Sequence, residues 1–122
     1  MIKYATINHP KANFKIADFS SSYENDQRFT SIVFNECLHY FLDLESTLNK
    51  AGSLLKKEGR VIISHPKGYT NVEMQRSKNR LLVANLLPGI TSLSELATSA
   101  GLSVEQSPCI GQDMYLAVLK KL

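Results

Sequence analysis

Asn35, Glu36, Cys37, His39 and Tyr40 follow directly on the apolar run Ile32-Val33-Phe34. Amide, carboxylate, thiol, imidazole and phenol thus crowd the exit of one hydrophobic segment. Such groups hold protons, move them, or orient a polar ligand. Two readings fit: a ligand site at the end of a strand, or a turn leading into a helix. Glu36 and His39 stand three positions apart, which suits a base with its orienting partner and equally a surface pair on one helical turn. Cys37 and His39 are too near in sequence for a nucleophile and its base, which normally come from separate segments. Cys37 therefore reads as a packed thiol. Cys37 and Cys109 share no CxxC spacing, and no clustered ligands suggest a metal. Lys67-Gly68 lacks the upstream glycine of a phosphate-binding loop.

Two more apolar runs end in polar groups. "NFKIADF" (residues 13–19) alternates, with Phe14 and Ile16 on one face, and reads as a strand ending at Asp18. "RVIISH" (residues 60–65) ends in Ser64-His65. "TSIVFN" (residues 30–35) reads as a strand buried on both faces. Between these strands, Asp43 is a good N-cap for a helix striped by Leu44, Leu48, Ala51, Leu54 and Leu55. Lys56 and Lys57 suit the negative end of its dipole, and Gly59 suits a turn with positive φ. "MIKYATIN" is a helix tail stopped by Pro10. "PKGYTN" reads as a loop, and residues 72–87 as a helix ending before Pro88-Gly89. Residues 91–102 form a short amphipathic helix, with Ser92 and Glu95 at capping-box spacing and Gly101 as its stop. "LSVEQSP" and "MYLAVLKKL" close the chain as a strand pair joined through Gly111. This alternation implies an α/β fold. In such sheets ligands gather at the carboxyl ends of the strands.

The 122 residues suit one domain, 1–122, with a single core. At 43% hydrophobic and 20% charged the composition is that of a soluble globular protein. No apolar run approaches the roughly 20 residues of a membrane span, and the N-terminus lacks a secretory signal. The net charge of +3 is scattered, with Lys56-Lys57 and Lys120-Lys121 as the adjacent pairs, so no basic stripe marks a nucleic-acid surface. Two separated cysteines read as buried free thiols of an intracellular protein, cytoplasmic or organellar, a plastid included.

The segments "NFKIADF", "FTSIVFNECLHYFLDLESTLNKAGSLLKKEGRVIISHP", "LSELATSAGLSVEQ" and "MYLAVLKKL" resemble, in this order, the later portion of a class I S-adenosylmethionine-dependent methyltransferase of the small-molecule type. The resemblance covers the chain from about Ala12 onward. It implies a partial Rossmann-like sheet, mainly parallel with a C-terminal antiparallel strand pair, and helices on both faces. It also implies S-adenosylmethionine as cofactor and a small-molecule methyl acceptor. By the same resemblance Asp18 and Phe19 border the adenine, Asn35 and Glu36 border the methionine part, and Glu36, His39 and His65 are candidates for acceptor chemistry.

One departure is large. The family's Gly-rich loop and the acid that binds the ribose have no counterpart, because Gly52, Gly59, Gly68, Gly89, Gly101 and Gly111 are isolated. Their strands would lie between "NFKIADF" and "TSIVFN", so their absence leaves a gap of about three strand spacings, or ~14 Å. Three solutions exist: "NFKIADF" pairs directly with "TSIVFN", it leaves the sheet, or another chain fills the gap. A homo-oligomer or a partner chain covering the free edge of "TSIVFN" is the favoured expectation. The same departure supports an alternative function, a non-catalytic methyltransferase-like interaction module.

Overall fold

The computed structural model describes residues 2–21, 23–109 and 113–122. Helix α1 (Ile2–Asn8) is followed by a long strandless segment, then β1 (Phe29–Asn35). A 3-10 turn (Leu38–Tyr40) leads into α2 (Leu44–Leu54), which passes directly into β2 (Leu55–His65). Then come α3 (Gly68–Lys78), α4 (Ile90–Ser99), β3 (Leu102–Gln106) and β4 (Tyr115–Lys121). The sheet order is β1-β2-β4-β3. β1 runs parallel to β2, while β2·β4 and β3·β4 are antiparallel. The α/β architecture and the C-terminal antiparallel pair match the sequence expectation. The sheet is less parallel than expected, because residues 13–19 do not join it.

Side-chain alternation sorts the sheet into two faces. Phe34, Val61, Ile63, Tyr115, Ala117 and Leu119 point to one and are buried. They pack in a single core with Leu48 and Ala51 of α2, Val72 of α3, and Leu93 and Ala97 of α4. This is the face the helices cover; α1 buries no side chain. On the other face Val33, Ile62 and Val118 lie side by side across three strands. Val33 is 56% exposed. β1 is thus an edge strand with one face open, not the strand buried on both faces that its apolar run suggests.

Local chemistry fixes the ends. The Asp43 carboxylate accepts from the Ser46 N–H and caps α2, as its type and position predict. The cation at the carbonyl end of α2 is Lys121, whose Nζ donates to the carbonyls of Gly52 and Leu55 at 2.8 and 2.9 Å. Lys56 and Lys57 instead lie in β2. Glu58, not Gly59, takes the positive φ, +65°. Gly59 is required for another reason: a Cβ there would meet the Lys56 carbonyl oxygen at 2.8 Å and that of Thr30 at 3.1 Å. The strand register with β1 shifts at this point.

Four further expectations are corrected. α3 begins at Gly68, inside the stretch read as a loop, and ends at Lys78 instead of reaching residue 87. Asn79 leaves helical geometry, and its side chain accepts from the Leu82 N–H, a local bond that competes with the helix. The Ser92–Glu95 capping box does not form, because α4 starts earlier, at Ile90, with Gly89 as an N-cap that offers no side chain. Cys109 is exposed instead of buried; Cys37 is partly buried, and both are free. Gly101 does take the left-handed conformation at the end of α4, φ +74°. Gly111 lies outside the described residues.

Candidate functional site

β1 and β2 run parallel, so their carboxyl ends come out together. The register pairs Asn35 with Ser64, and the Ser64 hydroxyl donates to Asn35 Oδ1 at 2.9 Å. One residue on, the Glu36 N–H donates to the Ser64 carbonyl at 2.8 Å. Glu36 sits at φ +56°, a left-handed conformation that costs a non-glycine residue on the order of 1 kcal/mol. This kink throws the chain off the sheet and leaves the Glu36 side chain exposed at the rim.

The 3-10 turn then folds His39 inward. Its ring lies 4.0 Å from the Tyr40 ring and 5.1 Å, edge to face, from the His65 ring. His39 is 1% exposed and neither ring nitrogen has a hydrogen-bond partner. His65 is 4% exposed, and its Nδ1 accepts from the Lys67 N–H. Burial holds both imidazoles below their ordinary range, His65 adds to the effect on His39, and Lys67 to that on His65; the Glu36 carboxylate opposes it at both. Burial pushes the Cys37 thiol up, which makes it a weaker nucleophile. The pair is therefore neutral near pH 7, with Glu36 as the nearby charge.

Asp18 and Phe19 reach the same rim by a different route. Residues 13–19 form no strand, and Ile16 is 88% exposed. Of the three solutions to the gap, the segment leaves the sheet. Phe19 nevertheless anchors it: its ring packs against Tyr23, Phe34 and Phe41 at 5.8, 5.7 and 6.4 Å. Phe34 is the neighbour of Asn35, so the aromatic cluster ties the loop to the strand end. Asp18 closes a turn, accepting from the N–H and hydroxyl of Ser20, and the Ser20 hydroxyl leads the causes that hold its carboxyl below the usual range. Between them Asp18, Phe19, Tyr40, Phe41 and Asp43 line a cavity of about 370 Å³.

Asn35, Glu36, His39 and His65 are thus brought into one cluster, with Asp18 and Phe19 on the adjoining cavity. Among the described residues no three His, Cys, Asp or Glu side chains gather as metal ligands. Asn85 was not apparent from the sequence, where it sits inside a stretch read as helix. Its backbone N–H donates to the His39 carbonyl at 3.0 Å, and its side-chain amide donates to the carbonyls of Phe41 and Leu42 at 2.6 and 3.2 Å. An asparagine among Val83, Ala84, Leu86 and Leu87 was the available signal, since asparagine favours local backbone bonds over helix.

A family model described as a methyltransferase domain matches residues 2–107. No curated protein sequence matches. Solved structures with a similar fold include the mitomycin 7-O-methyltransferase MmcR, at TM-score 0.76 and 13% identity, covering 98% of this chain and 38% of that one. The N-methyltransferase NodS from Bradyrhizobium japonicum WM9, in complex with S-adenosyl-L-homocysteine, gives TM-score 0.68 and 17% identity over 98% of this chain and 61% of that one. A structure titled a pericyclic reaction enzyme gives TM-score 0.74 and 14% identity over 99% and 34%. The chain spans about a third to under two thirds of these structures.

Proposed function

The chain belongs to the methyltransferase-domain family, and from that premise we propose that it forms the later part of an S-adenosylmethionine-dependent methyltransferase domain acting on a small molecule. The supporting observation is that Phe19, which with Asp18 lines a cavity between residues 17–20 and 40–43, packs on Phe34 at the strand end that leads into Asn35 and Glu36. The residues present fit the adenine and the methionine part of the cofactor. Asp18 offers a carboxylate and Phe19 a ring edge to the adenine, while Asn35 and Glu36 border the methionine part. Once bound, the cofactor supplies an electrophilic methyl group. The protein's share is to align the acceptor and exclude water. Glu36 and His65 are placed to take a proton from the acceptor. His39, enclosed behind His65, serves as a positioning residue for it.

The Gly-rich loop that would cradle the cofactor and the acid that would hold its ribose are not among these residues, so completion by further chain along the free edge of β1 is part of the proposal. A second copy of the chain and a separate partner are both compatible with that edge. The free thiols of Cys37 and Cys109 support a reducing, intracellular setting. Among the described residues no helix is long and apolar enough to cross a membrane.

The isolated glycines favour a second reading, a non-catalytic interaction module on the same fold. The similar pericyclic reaction enzyme illustrates that this fold is not tied to methyl transfer. Calorimetric titration with S-adenosylmethionine separates the two. The enzyme reading expects saturable binding that weakens at least about tenfold in Asp18→Asn, which keeps the turn but removes the charge. Absence of binding at millimolar cofactor, at protein concentrations where the chain self-associates, counts for the module instead.

A further inference from the structure

A second cavity, of about 450 Å³, opens between α3, residues 79–89 and the start of α4. Tyr69, Arg76, Asn85, Leu87, Pro88 and Ser92 are on its wall. Arg76 sets its chemistry. The guanidinium is charged at every working pH, yet its Nε is buried with no hydrogen-bond partner. The ion pair found among the described residues is Arg60–Glu105, on the far strand edge. No carboxylate lines the cavity. A buried donor on a cation without an acceptor is among the costlier arrangements a protein holds. Asn71 Oδ1 and Gln75 Oε1 on the same helix are likewise buried without a partner; the charge is open to an oxyanion at the part of the fork that stays accessible, since Arg76 as a whole is only partly buried. Tyr69 and Ser92 add hydroxyl donors, while Leu87 and Pro88 make an apolar wall. Asn85 belongs both to this wall and to the turn that carries His39, through its bond to the His39 carbonyl. The cavity is thus the immediate neighbour of the methyl-transfer rim.

We propose that this cavity is the acceptor subsite and takes a flat, largely apolar small molecule carrying a carboxylate, with Arg76 as the specificity-determining residue. A carboxylate suits the planar fork of a guanidinium better than a point charge does, and the apolar wall suits the body of the molecule. The acceptor role rests on the methyltransferase reading; the binding of the anion does not.

The test follows the backbone amide signals of Ser92 and Tyr69 by NMR during titration with benzoate, with benzamide and with inorganic phosphate. Benzoate is expected to bind at least about tenfold more tightly than neutral benzamide, the scale of one charge-assisted hydrogen bond. Arg76→Gln erases that preference, and Arg76→Lys retains part of it. Equal binding of benzoate and benzamide by the unaltered protein overturns the proposal without any variant, as does a preference that survives in Arg76→Gln. Phosphate binding more tightly than benzoate also overturns it. Cofactor titrations run in parallel keep the two questions apart: lost cofactor binding with an intact benzoate preference fails the enzyme reading and leaves the anion site standing.

Discussion

Ile63 and Ile16 carry the same side chain in opposite circumstances. Ile63 lies on β2 with strands on both sides, α2 and α3 packed against its strand, and no exposed surface. Ile16 lies in an alternating segment of similar apolar content and is 88% exposed. The difference is not propensity. β2 is flanked by β1 and β4, whose backbones satisfy its N–H and C=O groups on both edges. Among the described residues, 13–19 pair with no strand, the free edge of β1 included, and an isolated strand has no stability of its own. Alternation marks a segment able to become a strand; a partner decides whether it does.

The largest effect that tests this contrast is truncation of each isoleucine. Ile63→Ala removes buried carbon from a packed core and should cost about 2–5 kcal/mol in urea unfolding. Ile16→Ala should fall within about 0.5 kcal/mol. If the segment is instead covered by a second copy, Ile16→Ala destabilises in proportion to protein concentration, and the contrast between the two regions narrows.

The same logic explains what could be read in advance. α2 was legible because its cap, its stripe and its length agree, and β2 and β4 because their apolar runs are central in the sheet. The rim was legible as a polar exit after "SIVF". What failed were features set by distant neighbours. Lys121, 69 residues from Gly52, took the place expected of Lys56 and Lys57. The burial of His39 depends on His65 and on Asn85, both remote in sequence. Arg76 carries no signal in the sequence beyond its place in the stretch read as a helix, and only the cavity beside it gives it a role.

A smaller effect separates the two regions by pH. His39 and His65 belong to the packed region, and burial holds both below the ordinary value of 6.5. As pH falls through that value the unfolded chain takes up protons that the folded chain refuses. Stability is therefore full above about pH 6.5 and declines below it, before most carboxylates begin to titrate. Urea midpoints measured from pH 7.5 to 5 should show this decline. His39→Phe, which keeps a ring of similar shape and removes two unpartnered nitrogens, should flatten it. A decline unchanged in that variant would shift the acid sensitivity away from the imidazole pair.

The smallest expected change in stability is the most informative about function. Glu36 occupies φ +56° at the rim, a conformation glycine adopts freely. Glu36→Gly relieves that strain but raises the entropy of the unfolded chain, and the two terms are each roughly 1 kcal/mol and opposite in sign. Thermal unfolding should consequently move little. The substitution deletes the one carboxylate that opposes the burial of both histidines, so the imidazole titration of His65, followed by NMR, should move further down. If Glu36→Gly leaves both the His65 titration and any cofactor binding unchanged, that carboxylate has no part in the site, and the kink at the end of β1 is a structural turn like the one at Glu58.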